Sequence, residues 1–475
     1  NFVGIFILIL LLYCFAYQLS ENKLISTVIA TFVVGGYSFV FNRTIFYADM
    51  NLYGRAMSPY LSSIGLFIYL NLLVRMNVRF RWRTAIAAVF AFGALFYIYL
   101  YAWTYVLAFN GILFALFLLR REWNRAKSLA AVTLGGLVIG SYNLFFLLRS
   151  LFSDSGREIR YFHFVQHTHA PLFSIVGAVS LCIFAVYWWK NRKDERLPYI
   201  FALILAGWAV LNQQIVTGLK IQPGHYYWYF VVPVGIILAL FMVWSLLRRS
   251  WRLAFCVILL LAVFVNTIGG QYRSTLRTVS DKLDEQRFQP ILDELRKDRE
   301  PSVLLTAGNE NSYLFTIFTH HDLFWQDGAT YFQPDKERMK DALSVFLLLN
   351  RDARNNVPEF LNRVANDPSS GDFYVYTFYA LEGFTSGYNY DEYQKLRDAK
   401  DPDLMTHREK LIGELYGRVE TLKNDPKLIK DLLGRYGVEY IAWDAKRYSD
   451  WDVSVIPGAT EILTANDIHL FKMAL

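Results

Sequence analysis

The sequence contains few cysteines, and its first part contains few acids. Of its 475 residues only three are cysteine, Cys14, Cys182 and Cys256, and each lies within an apolar run. The chain therefore has no disulfide framework, and we expect the three thiols to pack in the hydrophobic interior. It also has no internal repeat, no low-complexity tract and no glycine-rich phosphate loop, so no nucleotide site of that kind is predicted.

Acidic residues are scarce in residues 1–270, which hold 7 Asp plus Glu against 22 Lys plus Arg. Residues 271–475 hold 34 against 26. A strongly basic first part followed by an acidic second part is typical of a membrane region joined to a soluble one. The overall net charge of +7 therefore does not indicate binding to nucleic acid.

Long apolar runs are confined to residues 1–270 and predict a polytopic α-helical membrane bundle of about ten spans. Residues 84–119 contain no charge and are long enough for two helices, with a turn expected near 101–105 or at 110–111. The full set of runs is 2–18, 23–41, 58–74, 84–119 (two spans), 128–148, 172–189, 197–211, 226–247 and 253–270. Because the chain starts with Asn and is apolar from Phe2, we expect an N-terminal part of a longer protein to precede it.

Basic residues are clustered in the loops 75–83, 120–127, 190–196 and 248–252. The positive-inside rule places these loops in the cytoplasm if residues 84–119 form a hairpin. The outer face would then carry residues 42–57, 149–171 and 212–225 and everything after residue 270. The sequence thus predicts an integral inner-membrane protein whose C-terminal domain is extracytoplasmic.

Residues 271–475 have the pattern of a smaller α/β domain. Strands are predicted at 303–306 and 438–443 in one sheet, with a closing hairpin of 461–463 and 468–473 beside them. Helices are predicted at 281–299, 311–319, 335–350, 357–366, 407–422 and 426–436, the last ended by Gly437.

The most informative stretch is NQQIVTGLKIQPGH, residues 212–225, because it is polar and lies between two apolar runs. Burying an amide in hydrocarbon without a partner costs several kcal/mol, so these side chains need partner helices, a wet cavity or a ligand. Gln222 and His225, together with the arginines described next, provide donors suited to a phosphate linked to a lipid. The alternative is a solvated loop with polar helix ends.

Two other outer loops hold charged candidates. In residues 42–57, Arg43 and Arg55 flank Asp49, and in residues 149–171 Glu158 lies between two arginines, Arg157 and Arg160. We predict phosphate or substrate contacts for the arginines, Arg160 above all, and a base or metal-ligand role for Asp49 or Glu158. The alternative is that the arginines meet lipid headgroups. Histidines at 163, 167 and 169 have a spacing that a metal site can use, but a headgroup-binding surface is the favoured interpretation.

Two aromatic motifs carry a family resemblance. They are YIYLYAWTY at residues 97–105 and LLGRYGVEYIAW at residues 432–443. With the many spans and the C-terminal domain, the chain resembles the integral-membrane glycosyltransferases of the GT-C class. The resemblance implies transfer of a sugar from a polyprenyl-phosphate donor on the outer face. If the chain is such a transferase, we expect Asn212 and Gln222 to contact sugar hydroxyls and His225 to contact the phosphate. It also implies an essential acid in the first outer loop, which we expect to precede residue 1, so Asp49 is not equated with it.

Two further functions are considered. A non-catalytic scaffold of a cell-envelope complex, with its outer domain binding a protein partner, is the main alternative to the transferase. A transporter is disfavoured because few charges lie within the spans and no pair of broken helices occurs in two halves. Membrane lipid and a lipid-linked sugar are the expected partners, and the need for a divalent metal stays open.

Overall fold

The structure, a computed structural model, describes residues 2–41, 60–78, 80–153, 156, 165–306, 311–326, 335–366 and 373–474. The chain divides into a bundle unit, Asn1–Arg149 with His167–Arg277, and a sheet unit, Ser150–Gln166 with Thr278–Leu475. The predicted domain boundary after Gly270 falls inside a continuous helix, Arg249–Gln286. Glycine lowers helix propensity by about 1 kcal/mol, which is too little to end a helix of 38 residues.

Helices make up the bundle unit, and each of the predicted apolar runs contains one. Within the described residues, the helices long and apolar enough to cross a membrane number six: Val3–Ser20, Leu100–Leu119, Trp123–Phe152, Leu197–Thr217, Pro223–Leu246 and Arg249–Gln286. Shorter apolar helices are Lys23–Gly35, Trp82–Ile98 and Ile175–Lys190. Tyr37–Phe41 and Tyr60–Val78 are also helical. The count of ten spans stays a prediction.

The break within residues 84–119 falls at Tyr99, and not near 101–105 or 110–111 as predicted. Tyr99 has an extended backbone (φ −166°, ψ 125°) between the helices Trp82–Ile98 and Leu100–Leu119. Asn110 lies in the middle of the second helix, where its side chain accepts a hydrogen bond from Tyr69 and donates one to Thr133. Because other helices provide its hydrogen-bond partners, the buried Asn110 side chain can lie within a helix and does not mark a turn.

The cysteines of the bundle unit differ in environment. Cys256 is buried, Cys14 is half-buried and Cys182 is exposed. The expectation of an interior position is therefore wrong for Cys182, because its helix turns that side chain away from the packed face.

The four basic loops lie at one end of the bundle unit. Gly136 faces Phe92 and Gly140 faces Phe96 so closely that a side chain would clash, so helices Trp82–Ile98 and Trp123–Phe152 run parallel and begin at the same end. A salt bridge of 3.1 Å from Arg125 to Glu195 joins the third loop to the second. Arg196 of the third loop lies 5.2 Å from the ring of Phe241, in the later part of the helix Val232–Leu246 that leads to the fourth loop. Tyr99 follows the C-terminal end of the helix Trp82–Ile98 and therefore lies at the end of the bundle unit opposite to the basic loops.

The sheet unit contains one sheet of five strands within its described residues. Its order is Asp322–Leu323, Val303–Thr306, Val438–Asp444, Ile468–Met473 and Ala459–Ala465. The first three strands are parallel, and the last two form the predicted antiparallel hairpin beside Val438–Asp444. Val303–Thr306 and Val438–Asp444 lie in one sheet, as predicted, and the structure makes them neighbours in it. Asp322–Leu323 is too short to have been recognised from alternation.

Helices of the sheet unit begin at clear capping residues. The Asp335, Asp401 and Asp425 side chains each accept hydrogen bonds from amides of the first turn, and proline follows the last two at the first helical position. Three helices were not predicted from the sequence: Arg351–Asn355, Phe373–Ser386 and Tyr390–Asp398. The helices, including these three, are Gln289–Leu295, Arg351–Asn355, Tyr313–Phe318, Lys336–Leu349, Val357–Asn366, Pro402–Asn424, Phe373–Ser386, Tyr390–Asp398 and Pro426–Arg435.

Candidate functional site

Residues 212–225 form a compact polar segment at the end of the bundle unit that carries Tyr99. A short helix, Gln214–Thr217, ends at Gly218, whose φ of 70° is the left-handed conformation that glycine adopts without strain. The strand Leu219–Ile221 follows, and the chain then enters a helical turn, Pro223–Tyr226. This turn leads into the π-helical residues Tyr227–Val231 and the helix Val232–Leu246.

The first half of this segment is bonded to backbone. Asn212 accepts from the Leu172 amide at 2.7 Å and donates to the carbonyls of Leu172 and Trp208 at 3.2 and 3.1 Å. Gln213 and Gln214 donate to the Leu219 and Ala170 carbonyls. Both ends of the Asn212 amide are thus engaged in holding the segment. Its predicted contact with a sugar hydroxyl stays a prediction.

The second half of the segment meets a group of aromatic rings. The Tyr99 hydroxyl is 2.5 Å from Nδ1 of His225, and the two rings are stacked 6.0 Å apart at an angle of 19°. Rings of Tyr101, Tyr229 and Trp228 lie 4.8, 5.5 and 6.4 Å from the imidazole. We call these five side chains, together with Gln222, the aromatic cluster. It holds one imidazole nitrogen in a hydrogen bond and surrounds the ring with flat apolar surfaces.

Gln222 has a strained backbone. Its φ of 30° and ψ of 63° lie in the left-handed region, which costs a residue with a side chain on the order of 1–3 kcal/mol. The side-chain Oε1 accepts a hydrogen bond from the Tyr101 hydroxyl at 2.8 Å, which orients the amide. Within the described part of the chain, the Nε2 group of this half-buried residue has no hydrogen-bond acceptor. Strain combined with an oriented, available donor is a common feature of ligand sites.

A proline explains the π-helical turn beside the cluster. Pro233 has no N–H group, so it cannot continue the regular hydrogen-bond ladder. The Val232 amide bonds to the Tyr227 carbonyl one residue further back than in an α-helix, and the Trp228 carbonyl accepts a hydrogen bond from Tyr37 at 3.0 Å. π-helical turns are frequent at functional sites. Here the turn sets the positions of Trp228 and Tyr229 against His225.

The structure brings together only some of the residues predicted from sequence. Gln222 and His225 share the aromatic cluster, whereas Asn212 lies in the backbone-bonded half of the segment. His169 contacts the Ile215 carbonyl at 3.0 Å, and the described residues contain no group of three His, Cys, Asp or Glu side chains that can hold a metal ion. The remaining candidates lie outside the described residues: Arg43, Asp49, Arg55, Arg157, Glu158, Arg160 and His163.

The aromatic motif at residues 97–105 was evident from the sequence, but its pairing with the aromatic residues 226–229 was not. The Thr104 hydroxyl lies 2.8 Å from the Tyr226 hydroxyl, and Tyr37 supports the π turn. No local signal identifies either contact, although Pro233 marks the place where the helix changes.

Searches of the chain against protein-family models and against curated proteins find no match. Its function is therefore argued from the chemistry of the cluster itself. An amide donor, an imidazole and several aromatic faces are suited to a ligand with hydroxyl groups, an apolar ring face and an oxyanion.

Proposed function

We propose that this protein is a membrane glycosyltransferase that moves a sugar from a polyprenyl-phosphate donor to an acceptor, with the aromatic cluster as part of its site. Gln222 carries the proposal, because its backbone is strained and its amide, oriented by Tyr101, has an Nε2 group with no acceptor among the described residues. The GT-C resemblance of the sequence agrees with this function.

The position of the cluster suits a lipid-linked donor. Tyr101 lies in the first turn of the helix Leu100–Leu119, and His225 lies in the first turn of Pro223–Leu246, both of which are long and apolar enough to cross a membrane. A polyprenyl chain stays in the hydrocarbon while its phosphate lies at headgroup level, near the ends of spanning helices. A ligand bound at the cluster can therefore keep its lipid in the bilayer.

The proposed chemistry assigns a task to each group. The acceptor hydroxyl attacks the anomeric carbon of the donor, the bond from that carbon to the phosphate oxygen breaks, and the phosphate leaves with the electron pair. A base takes the hydroxyl proton, and Asp49 or Glu158 is proposed for that role. Gln222 donates to a sugar hydroxyl. His225, oriented by Tyr99, and the arginines 43, 55, 157 and 160 stabilise the phosphate.

We also propose the membrane orientation predicted from the sequence. The basic loops share one end of the bundle unit, and the positive-inside rule assigns that end to the cytoplasm. The helix Arg249–Gln286 starts at that end and has 38 residues, or roughly 57 Å at 1.5 Å per residue, more than the ~30 Å of a hydrocarbon core. Its C-terminal end then emerges on the outer side, which makes the sheet unit extracytoplasmic.

The test is transfer from a radiolabelled polyprenyl-phosphate sugar by the full-length protein in lipid nanodiscs. We expect Gln222→Ala, His225→Ala and Arg160→Ala each to lower the transfer rate by roughly ten- to hundredfold, the loss of one to two strong hydrogen bonds. Gln222→Gly also removes the amide, but it relieves the backbone strain. A lower transfer rate in this variant therefore reflects the lost hydrogen bond and not a loss of folding.

Gln271→Ala and His320→Ala are matched controls, because both residues are exposed and lie outside the cluster. They should leave the rate unchanged. Equal activity in wild type and all four site variants would eliminate the cluster as the site. A wild-type protein that transfers from none of the donors would favour the scaffold function instead.

A further inference from the structure

The helix Ile175–Lys190 ends in a group of exposed aromatic and basic side chains. Trp188 and Trp189 are its last two aromatic residues, and they are 46% and 68% exposed. The guanidinium carbon of Arg192 lies 5.4 Å from the centre of the Trp188 ring and 4.8 Å from that of Trp189, so the two rings hold this group in place at the surface. We call the following residues the tryptophan–arginine site: Trp188, Trp189, Lys190, Arg192 and Lys193.

The tryptophan–arginine site has an excess of positive charge. Its three cations are all exposed, and none of them forms an ion pair with a described carboxylate. The two acids that follow in the chain are engaged elsewhere: Asp194 binds Arg196 at 2.8 Å, and Glu195 binds Arg125 at 3.1 Å. Cations without a counter-charge among the described residues attract an anion from outside the protein.

An exposed apolar stripe leads along the same helix to this site. Ile175, Val179 and Val186 are each about half exposed, and Cys182 between them is exposed as well. Together with Trp189 they are spaced three or four residues apart, which places them on one face of the helix. The stripe is roughly 20 Å long at 1.5 Å per residue, enough to cover one leaflet of a hydrocarbon core of ~30 Å. This face is suited to contact with acyl chains.

A phospholipid matches both parts of this surface. Its acyl chains can lie along the apolar stripe while its phosphate lies at headgroup level, where tryptophan rings are enriched. The planar guanidinium of Arg192 can form two parallel hydrogen bonds with a phosphate. A zwitterionic headgroup carries a cation of its own, which the three cations of the site repel. The charge of the site therefore favours an anionic headgroup.

From this arrangement we propose that the tryptophan–arginine site binds one anionic phospholipid, with the phosphate on Arg192 and the acyl chains along the stripe. The site lies at the basic end of the bundle unit, opposite to the aromatic cluster, so it does not depend on the proposed transfer reaction. In the proposed membrane orientation this end is cytoplasmic, and the lipid comes from the cytoplasmic leaflet.

The test is native mass spectrometry of the full-length protein released from nanodiscs of phosphatidylcholine that contain increasing fractions of phosphatidylglycerol. We expect the wild type to retain one phosphatidylglycerol in preference to phosphatidylcholine. Arg192→Ala should weaken this retention about fivefold, which corresponds to ~1 kcal/mol for one basic residue at an anionic surface. Arg192→Lys keeps the charge but loses the planar group that lies over the rings, so it should recover only part of the loss.

Arg121→Ala is the matched control, because Arg121 is exposed in another loop of the same basic end, and it should retain the lipid like wild type. Gln222→Gly, which alters the aromatic cluster, should do the same. Four results would overturn the proposal. They are no preference for phosphatidylglycerol, an equal loss in Arg121→Ala and Arg192→Ala, a loss in Gln222→Gly without one in Arg192→Ala, or displacement of the lipid by soluble glycerol phosphate.

Discussion

Two buried amides of the bundle unit have neutral partners, whereas a buried acid of the sheet unit is paired with a charged side chain. Asn110 links Tyr69 to Thr133 at 2.8 and 3.1 Å, and Asn71 donates to the carbonyls of Leu11 and Phe67. In the sheet unit, Glu382 instead forms a two-bonded salt bridge with Arg408 and also accepts from Tyr393. In these examples the two units bury polar groups by different means.

The salt bridges of the bundle unit show why. Arg125 with Glu122 and Glu195, and Arg196 with Asp194, all lie in the loops at its basic end. Removing an ion from water costs several kcal/mol, and a hydrocarbon surrounding offers no compensation if the pair opens. A neutral amide costs less to bury. Among the described residues, the bundle unit accordingly keeps these ion pairs near helix ends, whereas the sheet unit buries the pair Glu382–Arg408.

The largest predicted effect comes from breaking the buried ion pair of the sheet unit. Glu382 and Arg408 are only 2% and 7% exposed, so Glu382→Gln leaves a buried guanidinium without its counter-charge. We expect a loss of about 3–5 kcal/mol of stability, measured by hydrogen exchange of the amides in the helix Phe373–Ser386. Adding Arg408→Met should recover most of it. A loss below about 1 kcal/mol would contradict the distinction between the units.

A smaller effect is expected from the corresponding change in the bundle unit. Asn110→Leu removes the neutral partner of Tyr69 and Thr133, which should cost about 1–2 kcal/mol, since polar contacts between membrane helices are individually modest. The measurement is hydrogen exchange of the helix Leu100–Leu119 in the full-length protein. Thr133→Val removes one of the two contacts and should cost less. A loss as large as that of Glu382→Gln would reverse the comparison.

The smallest predicted effect is a pH dependence of the sheet unit. The hydrogen bond from Arg418, followed by that from Lys340, holds the pKa of Glu337 below its usual range. A lowered folded-state pKa contributes stability above the unfolded-state value of about 4.3, and this contribution is lost as the pH falls through the folded-state pKa.

The stability difference between wild type and Arg418→Met should therefore shrink as the pH falls from about 5 to 3, as followed by hydrogen exchange of Lys336–Leu349. The helix Leu100–Leu119 serves as an internal reference, because the hydrogen-bonding partners of its buried Asn110 are neutral. An unchanged difference over this range would contradict the proposed role of Glu337.

Local sequence patterns predicted much of the fold. Apolar runs predicted helices, because a long segment without charges is stable in a membrane only as a helix. Gly437 predicted the end of the helix Pro426–Arg435, and the alternation after it predicted the strand Val438–Asp444. Local patterns did not predict two details. The helix Arg249–Gln286 continues through Gly269 and Gly270, and Tyr99 interrupts a run that contains no turn residue at that point.

The candidate site was less predictable than the fold. The polar character of residues 212–225 was evident, but the sequence treated Asn212 and Gln222 alike. In the structure, Asn212 is bonded to the backbone of residues 172 and 208, while Gln222 is held by Tyr101, and its Nε2 group has no acceptor among the residues that the structure describes. The difference depends on which backbone groups happen to lie near each amide, and residue type does not specify that.

The sequence by itself determined which segments are apolar, where basic loops separate them and where the α/β unit follows, because each property depends on neighbouring residues. Only the tertiary structure decided that Tyr99 meets His225, 126 residues away, and that Tyr37 supports Trp228, 191 residues away. Such pairs form because packing of whole helices brings distant side chains together. The strain at Gln222 is likewise tolerated only because those surroundings hold it.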